Sequence, residues 1–360
     1  MSRILARPAA AFLIGVSAMW VSDILFEFIV RKFKPTTLRG NRHMKRFLAD
    51  AAESFQFWPD LPLMRAFGCT CALLGVLLLT TGSIFAADSS VVAPGAKLEK
   101  LGEGYGYTEG PAADVDGNVF FTDDPNDRIV KWSAVDGKFS DWLKPAGRAN
   151  GTYFDKVGNL IAVAPDKGEL WSIAPDKKVT VLVTNFDGKV FNGPNDLWIR
   201  PDGGIYFTDP DFDSYHDRST RVEGQNVYFV TPDHKTVTRV TTDLTKPNGI
   251  IGTPDGKLLY VGDYGASRTY AYDIQPDGEL TNKRVFCKLG SDGMTIDSKG
   301  NVYLTQIGVA VFDQTGNKIE QIDVPETTTN VTFGGKDNDL LFITATGSVY
   351  GLKMRVKGAR

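Results

Sequence analysis

Residues 191–210, FNGPNDLWIRPDGGIYFTDP, are the clearest copy of a unit that recurs six times along the chain. The unit is an oxygen-bearing residue, a short alternating apolar strand, a tight turn of Asp-Gly type and a second apolar strand ending near Thr or Asp. The other copies are EGPAADVDGNVFFTD from Glu109, NGTYFDKVGNLIAV from Asn150, NGIIGTPDGKLLYVGD from Asn248, DGMTIDSKGNVYLT from Asp292 and NVTFGGKDNDLLFIT from Asn330. The turn positions are Gly117, Gly158, Gly203, Gly256, Gly300 and Asn338. Asn, like Gly, reaches the left-handed backbone region such a turn needs.

Successive turns lie 41, 45, 53, 44 and 38 residues apart. A period near 40–50 residues with about four strands per repeat is the mark of a β-propeller, so the spacing predicts an all-β, six-bladed propeller of four-stranded antiparallel blades. Eight positions before each turn stands a side-chain oxygen: Glu109, Asn150, Asn195, Asn248, Asp292 and Asn330. If the first strand of each blade is innermost, these six residues ring one central channel. A single Asn at a strand start usually bonds its own turn; six oxygen-bearing residues at one offset, two of them acidic, point to a cation or ligand site.

Third strands are also legible, in RIVKWSA from Arg128, GELWSIA from Gly168, NVYFVTP from Asn226, RTYAYDI from Arg268, VAVFDQT from Val309 and SVYGLKM from Ser348. The last repeat is one strand short, and KLEKL at 97–101 is expected to supply it, closing the ring. Residues 88–96 read as a linker. GEGYGYTEG at 102–110 lacks the helix a phosphate loop requires and is taken as loop. The long third interval, 213–225, is expected to lie over one face as a lid. Asp123, Asp209 and Asp263 read as turn or blade-stapling residues, and Trp132, Trp171 and Trp198 as core.

The chain has 360 residues, is 42% hydrophobic and carries net charge −3, an ordinary globular composition that favours neither nucleic acid nor disorder. Only Cys287 of three cysteines lies in the repeats, so no internal disulfide or cysteine zinc cluster is expected there. His43, His216 and His234 are scattered off the ring, which argues against histidine-based nucleophilic catalysis. FGCTCALLGVLLLTTGSIFAA, following Met64 and Arg65, has the shape of a secretory leader ending near Ala87. It implies a periplasmic or secreted mature protein without stable membrane insertion, a point that sequencing the native amino terminus checks. Residues 1–63 are then an over-long gene start or an extension outside the fold.

These motifs resemble the gluconolactonase family, the regucalcin-like or senescence marker protein group of six-bladed propellers. The resemblance covers about residues 97–356 and rests on EGPA at Glu109, the stretch around Asn195, PNGI at Asn248, SDGMTID at Asp292 and TNVTFGG at Asn330. It implies one divalent cation at the channel mouth, held by Glu109, Asn195, Asn248 and Asp292, with Asp292 also the acid/base residue. It further implies hydrolysis of sugar lactones. Asn150 and Asn330 remain channel-lining, either touching substrate or orienting the ligands. The regucalcin branch has an Arg two residues before the Asn of the third repeat; here that position is Gly193.

Two carboxylates and two amide oxygens suit a hard cation, Ca²⁺ most naturally, Mg²⁺ or Mn²⁺ next and Zn²⁺ less so. Such an ion would polarise a lactone while Asp292 takes a proton from the attacking water. The alternative is a secreted propeller that binds metal and ligand without turnover. A strictosidine-synthase-like or paraoxonase-like enzyme is disfavoured by the missing channel histidine. A small sugar lactone is the expected partner, with no nucleic acid or protein partner evident.

Overall fold

The computed structural model describes residues 89–212 and 218–359. Alternating β-branched and aromatic residues between tight turns leave the chain no helical period to follow. Among the described residues the strands form six four-stranded antiparallel sheets. Five of them are sequential blades, at 108–143, 152–183, 197–239, 247–287 and 294–322. The sixth joins Asn330–Gly334, Leu340–Ala345 and Ser348–Lys353 to Glu99–Glu103 as its outer strand. Each blade's first strand touches the first strands of both neighbouring blades, so the six close into a ring around an axis. This is the six-bladed propeller the spacing predicts.

All six turn positions have positive φ, from +57° at Asn338 to +97° at Gly203. The closing strand forms two residues later than expected, with Glu99 opposite Gly351 and Lys100 opposite Tyr350. Val91, in the stretch read as a linker, is 1% exposed and belongs to the apolar cluster of Tyr303, Ile322 and Met354. Its carbonyl accepts the Arg355 N–H at 2.8 Å. The leader at 64–87 and the residues ahead of it lie outside the described residues, as do 213–217 of the expected lid. The later part of that lid is anchored: Val222 is buried and its N–H bonds Val190 O at 2.9 Å.

Apolar side chains between blades form the core. Trp198, 3% exposed, stacks on Tyr206, and Phe191, Phe207 and Tyr228 pack together in the third blade. Each such fully buried side chain is worth about 1.5–3 kcal/mol. Deleting residues 89–103 removes the closing strand and two apolar anchors, Val91 and Leu101. Calorimetry should show Tm falling by about 6 °C or more, from about 3 kcal/mol or more of lost burial at about 2–4 °C per kcal/mol for a domain this size. An unchanged Tm would mean that the ring does not depend on this closure.

Candidate functional site

The six oxygen-bearing residues occupy equivalent places. Glu109 and Asn248 are second in their inner strands (Thr108–Ala113, Pro247–Gly252) and Asn330 is first in its own. Asn150, Asn195 and Asp292 stand two residues ahead of Thr152–Phe154, Leu197–Ile199 and Met294–Ile296. The backbone fixes this register. Asn150, Asn195 and Asp292 donate their N–H to Val163, Thr208 and Thr305 of the second strands at 2.9–3.0 Å, and Glu109 and Asn330 stand opposite Thr122 and Thr344. In the fourth blade the register shifts between Pro247 and Ile250.

The Thr and Asp that end the second strands have separate tasks. Thr208, Thr305 and Thr344 accept the N–H groups of Asp196, Gly293 and Asn330 at 2.8–3.1 Å. Asp123, Asp209 and Asp263 reach back to the chain just before the ring residue. They accept Gly106 N–H, Asn192 and Gly193 N–H, and Thr245 and Lys246 N–H, at 2.8–3.0 Å. They are staples that aim the inner strands, as the sequence implies.

Four ring side chains bond directly, in two pairs. Asn248 Nδ2 donates to Asp292 Oδ1 at 2.7 Å, and Asn330 Nδ2 to Glu109 Oε2 at 3.1 Å. Burial holds the Glu109 carboxyl well above its usual range, and the charge of Asp292 adds to the effect; the Gly110 N–H and the Asn330 amide oppose it. Burial also pushes Asp292 up to about 7, against the Asn248 amide. Close approach needs glycine beside the ring: a Cβ on Gly293 would lie 2.0 Å from Asn330 Cγ. Asn330 is spent on orientation, its Oδ1 accepting Val331 N–H at 2.8 Å.

Among the described residues three buried amide oxygens have no hydrogen-bond partner: Asn150 Oδ1 and Asn248 Oδ1 of the ring, and Asn192 Oδ1. A buried acceptor left unpaired costs about 1–3 kcal/mol unless something absent from the protein satisfies it. Among the described residues no three His, Cys, Asp or Glu side chains converge to hold an ion by themselves. Amide oxygens would therefore have to complete any donor set, and Asn248 offers one beside Asp292.

Sequence reasoning missed Asp196. It follows Asn195 where most repeats have glycine after the ring residue, and that departure is the signal that could have found it. It is 6% exposed, accepts Leu197 N–H at 2.9 Å and is pushed up to about 7, chiefly by burial. Its charge also raises Glu109. Asp196 lines a channel of about 700 Å³ formed by the inner strands, with Ala112, Leu197, Ile250, Met294 and Val331.

The match to known proteins decides the family. Residues 107–347 match the model described as the SMP-30/gluconolactonase/LRE-like region. The chain belongs to this family. Among relatives of this chain, the gluconolactonase of Zymomonas mobilis is 27% identical over 296 residues, 72% of this chain and 82% of that one. Lactonohydrolase oryL of Aspergillus oryzae is 30% identical over 212 residues, 51% of this chain and 49% of its own. The solved gluconolactonase of Xanthomonas campestris superposes with a TM-score of 0.68 at 29% identity, over 76% of this chain and 93% of that one.

The raised carboxyls carry a pH signature. A carboxyl whose folded pKa exceeds its unfolded value of about 4 contributes stability below that value and loses it as pH rises through the folded pKa. In chelator, the protein should therefore lose about 2–4 kcal/mol between pH 4 and pH 7 through Asp292, at 1.36 kcal/mol per pKa unit. Denaturant titrations at each pH check this. Asp292→Asn should flatten the slope; a slope unchanged by that substitution would exclude Asp292 as its source.

Proposed function

We propose that this protein is a metal-dependent hydrolase that opens sugar lactones. The observation that carries the reading is the unpartnered, buried Asn248 Oδ1 beside Asp292, whose charge reaches Glu109, both carboxyls being held above their ordinary pKa. Membership of a family with gluconolactonase and lactonohydrolase relatives supports it. Glu109, Asn195, Asn248 and Asp292 would hold one divalent ion, and their all-oxygen donors fit Ca²⁺ best, with Mg²⁺ or Mn²⁺ possible and Zn²⁺ less apt. When bound, the ion supplies positive charge against the negative charge that develops on the lactone carbonyl oxygen.

The chain's own residues manage the proton. Asn248 holds Asp292 by Oδ1, leaving Oδ2 without a hydrogen-bond partner among the described residues. Asp292 accepts a proton from water as the water oxygen bonds to the carbonyl carbon. The ring C–O bond then breaks and the ring oxygen takes up the proton, giving the open hydroxy acid. Asn330 keeps Glu109 in place, and Asn150 offers its unused Oδ1 to substrate or ligand.

Asp292→Asn keeps an oxygen ligand but removes the base. Lactone hydrolysis should fall by about 10²-fold or more while calcium affinity weakens only moderately. Asn248→Ala should lose calcium binding and activity together, with partial recovery at high calcium. Calorimetry and proton-release rates on both variants check this. Full activity in calcium-loaded Asp292→Asn would refute the base assignment. A wild type that binds calcium but opens no lactone would support the non-catalytic binding protein instead.

A further inference from the structure

One residue of each blade stands two positions ahead of the ring residue, just outside the inner strand, and these six make a set that is not uniformly extended, Arg148 sitting in a turn at φ +50°. Its members are Tyr107, Arg148, Gly193, Lys246, Gly290 and Thr328. Arg148 is engaged by Asp124 at 2.9 Å and by Asp166 at 3.6 Å. Thr328 is buried, and its hydroxyl is spent on Gly308 O at 2.7 Å. The Lys246 ammonium lies over the Phe212 ring at 4.5 Å. Gly193 and Gly290 contribute no side chain, and a Cβ on Gly193 would meet nothing closer than 3.7 Å.

Tyr107 is what remains. The residue is 38% exposed, and its hydroxyl lies within electrostatic reach of Asp292, Glu109, Asp124 and the Tyr264 hydroxyl. Among the described residues it makes no hydrogen bond of its own. Its backbone is held on both sides: the Asp123 carboxylate accepts Gly106 N–H at 2.8 Å and Tyr107 N–H at 3.4 Å, and Tyr107 O accepts Asp124 N–H at 3.1 Å. A phenol on so anchored a backbone, near Glu109 and Asp292 and without a hydrogen-bond partner among the described residues, is a donor open to whatever occupies the mouth.

We propose that Tyr107 is a specificity-determining residue whose phenol hydroxyl donates a hydrogen bond to a hydroxyl substituent of the lactone. This rests on the lactone-hydrolase reading. The place of Tyr107 sets the target: the Asp124 N–H on Tyr107 O extends the first blade's ladder by one residue, putting Tyr107 on the Glu109 side of the strand about 6.6 Å from it, where substituents of a lactone reacting at Glu109 and Asp292 would lie. A site built to bond a substrate hydroxyl discriminates against the analogue that lacks it.

The test is Tyr107→Phe in the calcium-loaded protein, assayed on glucono-δ-lactone and on δ-valerolactone, which has no hydroxyl substituent. The kcat/KM ratio between the two should fall about tenfold, the size of one lost hydrogen bond to substrate, with calcium affinity by calorimetry unchanged. An unchanged ratio in an active variant, or a fall that comes only with weakened calcium binding, would overturn the assignment alone. Wild type inert on both lactones would overturn the hydrolase reading and the assignment together.

Discussion

Two carboxylates drawn out of water toward one another are the constraint on which the rest of the structure depends. Glu109 and Asp292 come from the first and fifth blades, and each is desolvated as the ring closes. Their repulsion works against closure, and the protein's own amides only partly relieve it. Asn330 serves Glu109 and Asn248 serves Asp292, while Asn248 keeps its carbonyl oxygen unsatisfied. An arrangement that stores like charge and leaves a buried acceptor open is one that a cation stabilises by differential binding to the folded state.

The repeat supplies the means of holding such a centre. Each blade brings one ring residue to the axis on a register set by second-strand backbone, and Thr hydroxyls fasten that register locally. Links between blades finish the work. Thr329 Oγ1 donates to Thr108 O at 2.6 Å across the closure between the sixth and first blades, and Gly151 N–H to Asn195 O at 2.8 Å between the second and third. The aspartate staples fix the chain just ahead of the ring, so the ring and its approach are aimed by different residues of one motif.

Much of this was legible because a propeller writes its geometry as a period. The Asn338 turn, lacking glycine, was readable from its place in the repeat, and so was the strand before Thr108 that closes the ring. What stayed hidden depended on contacts between blades. The spacing marks Asn330 as a ring member equal to the others, but only the fold sets it against Glu109, making it an orienting residue. Asp196 was passed over as part of a strand motif, since nothing local reveals that it sinks into the channel beneath the carboxylates. Val91 reads as linker because its apolar neighbours come from the distant residues Tyr303 and Met354.

The central claim is that a cation on the propeller axis satisfies the ring. A crystal structure of the protein grown with calcium tests it most directly. The account predicts one ion with oxygens of Glu109, Asn195, Asn248 and Asp292 at about 2.3–2.6 Å. Calcium bound elsewhere, with Asn248 Oδ1 still unpartnered, would contradict it.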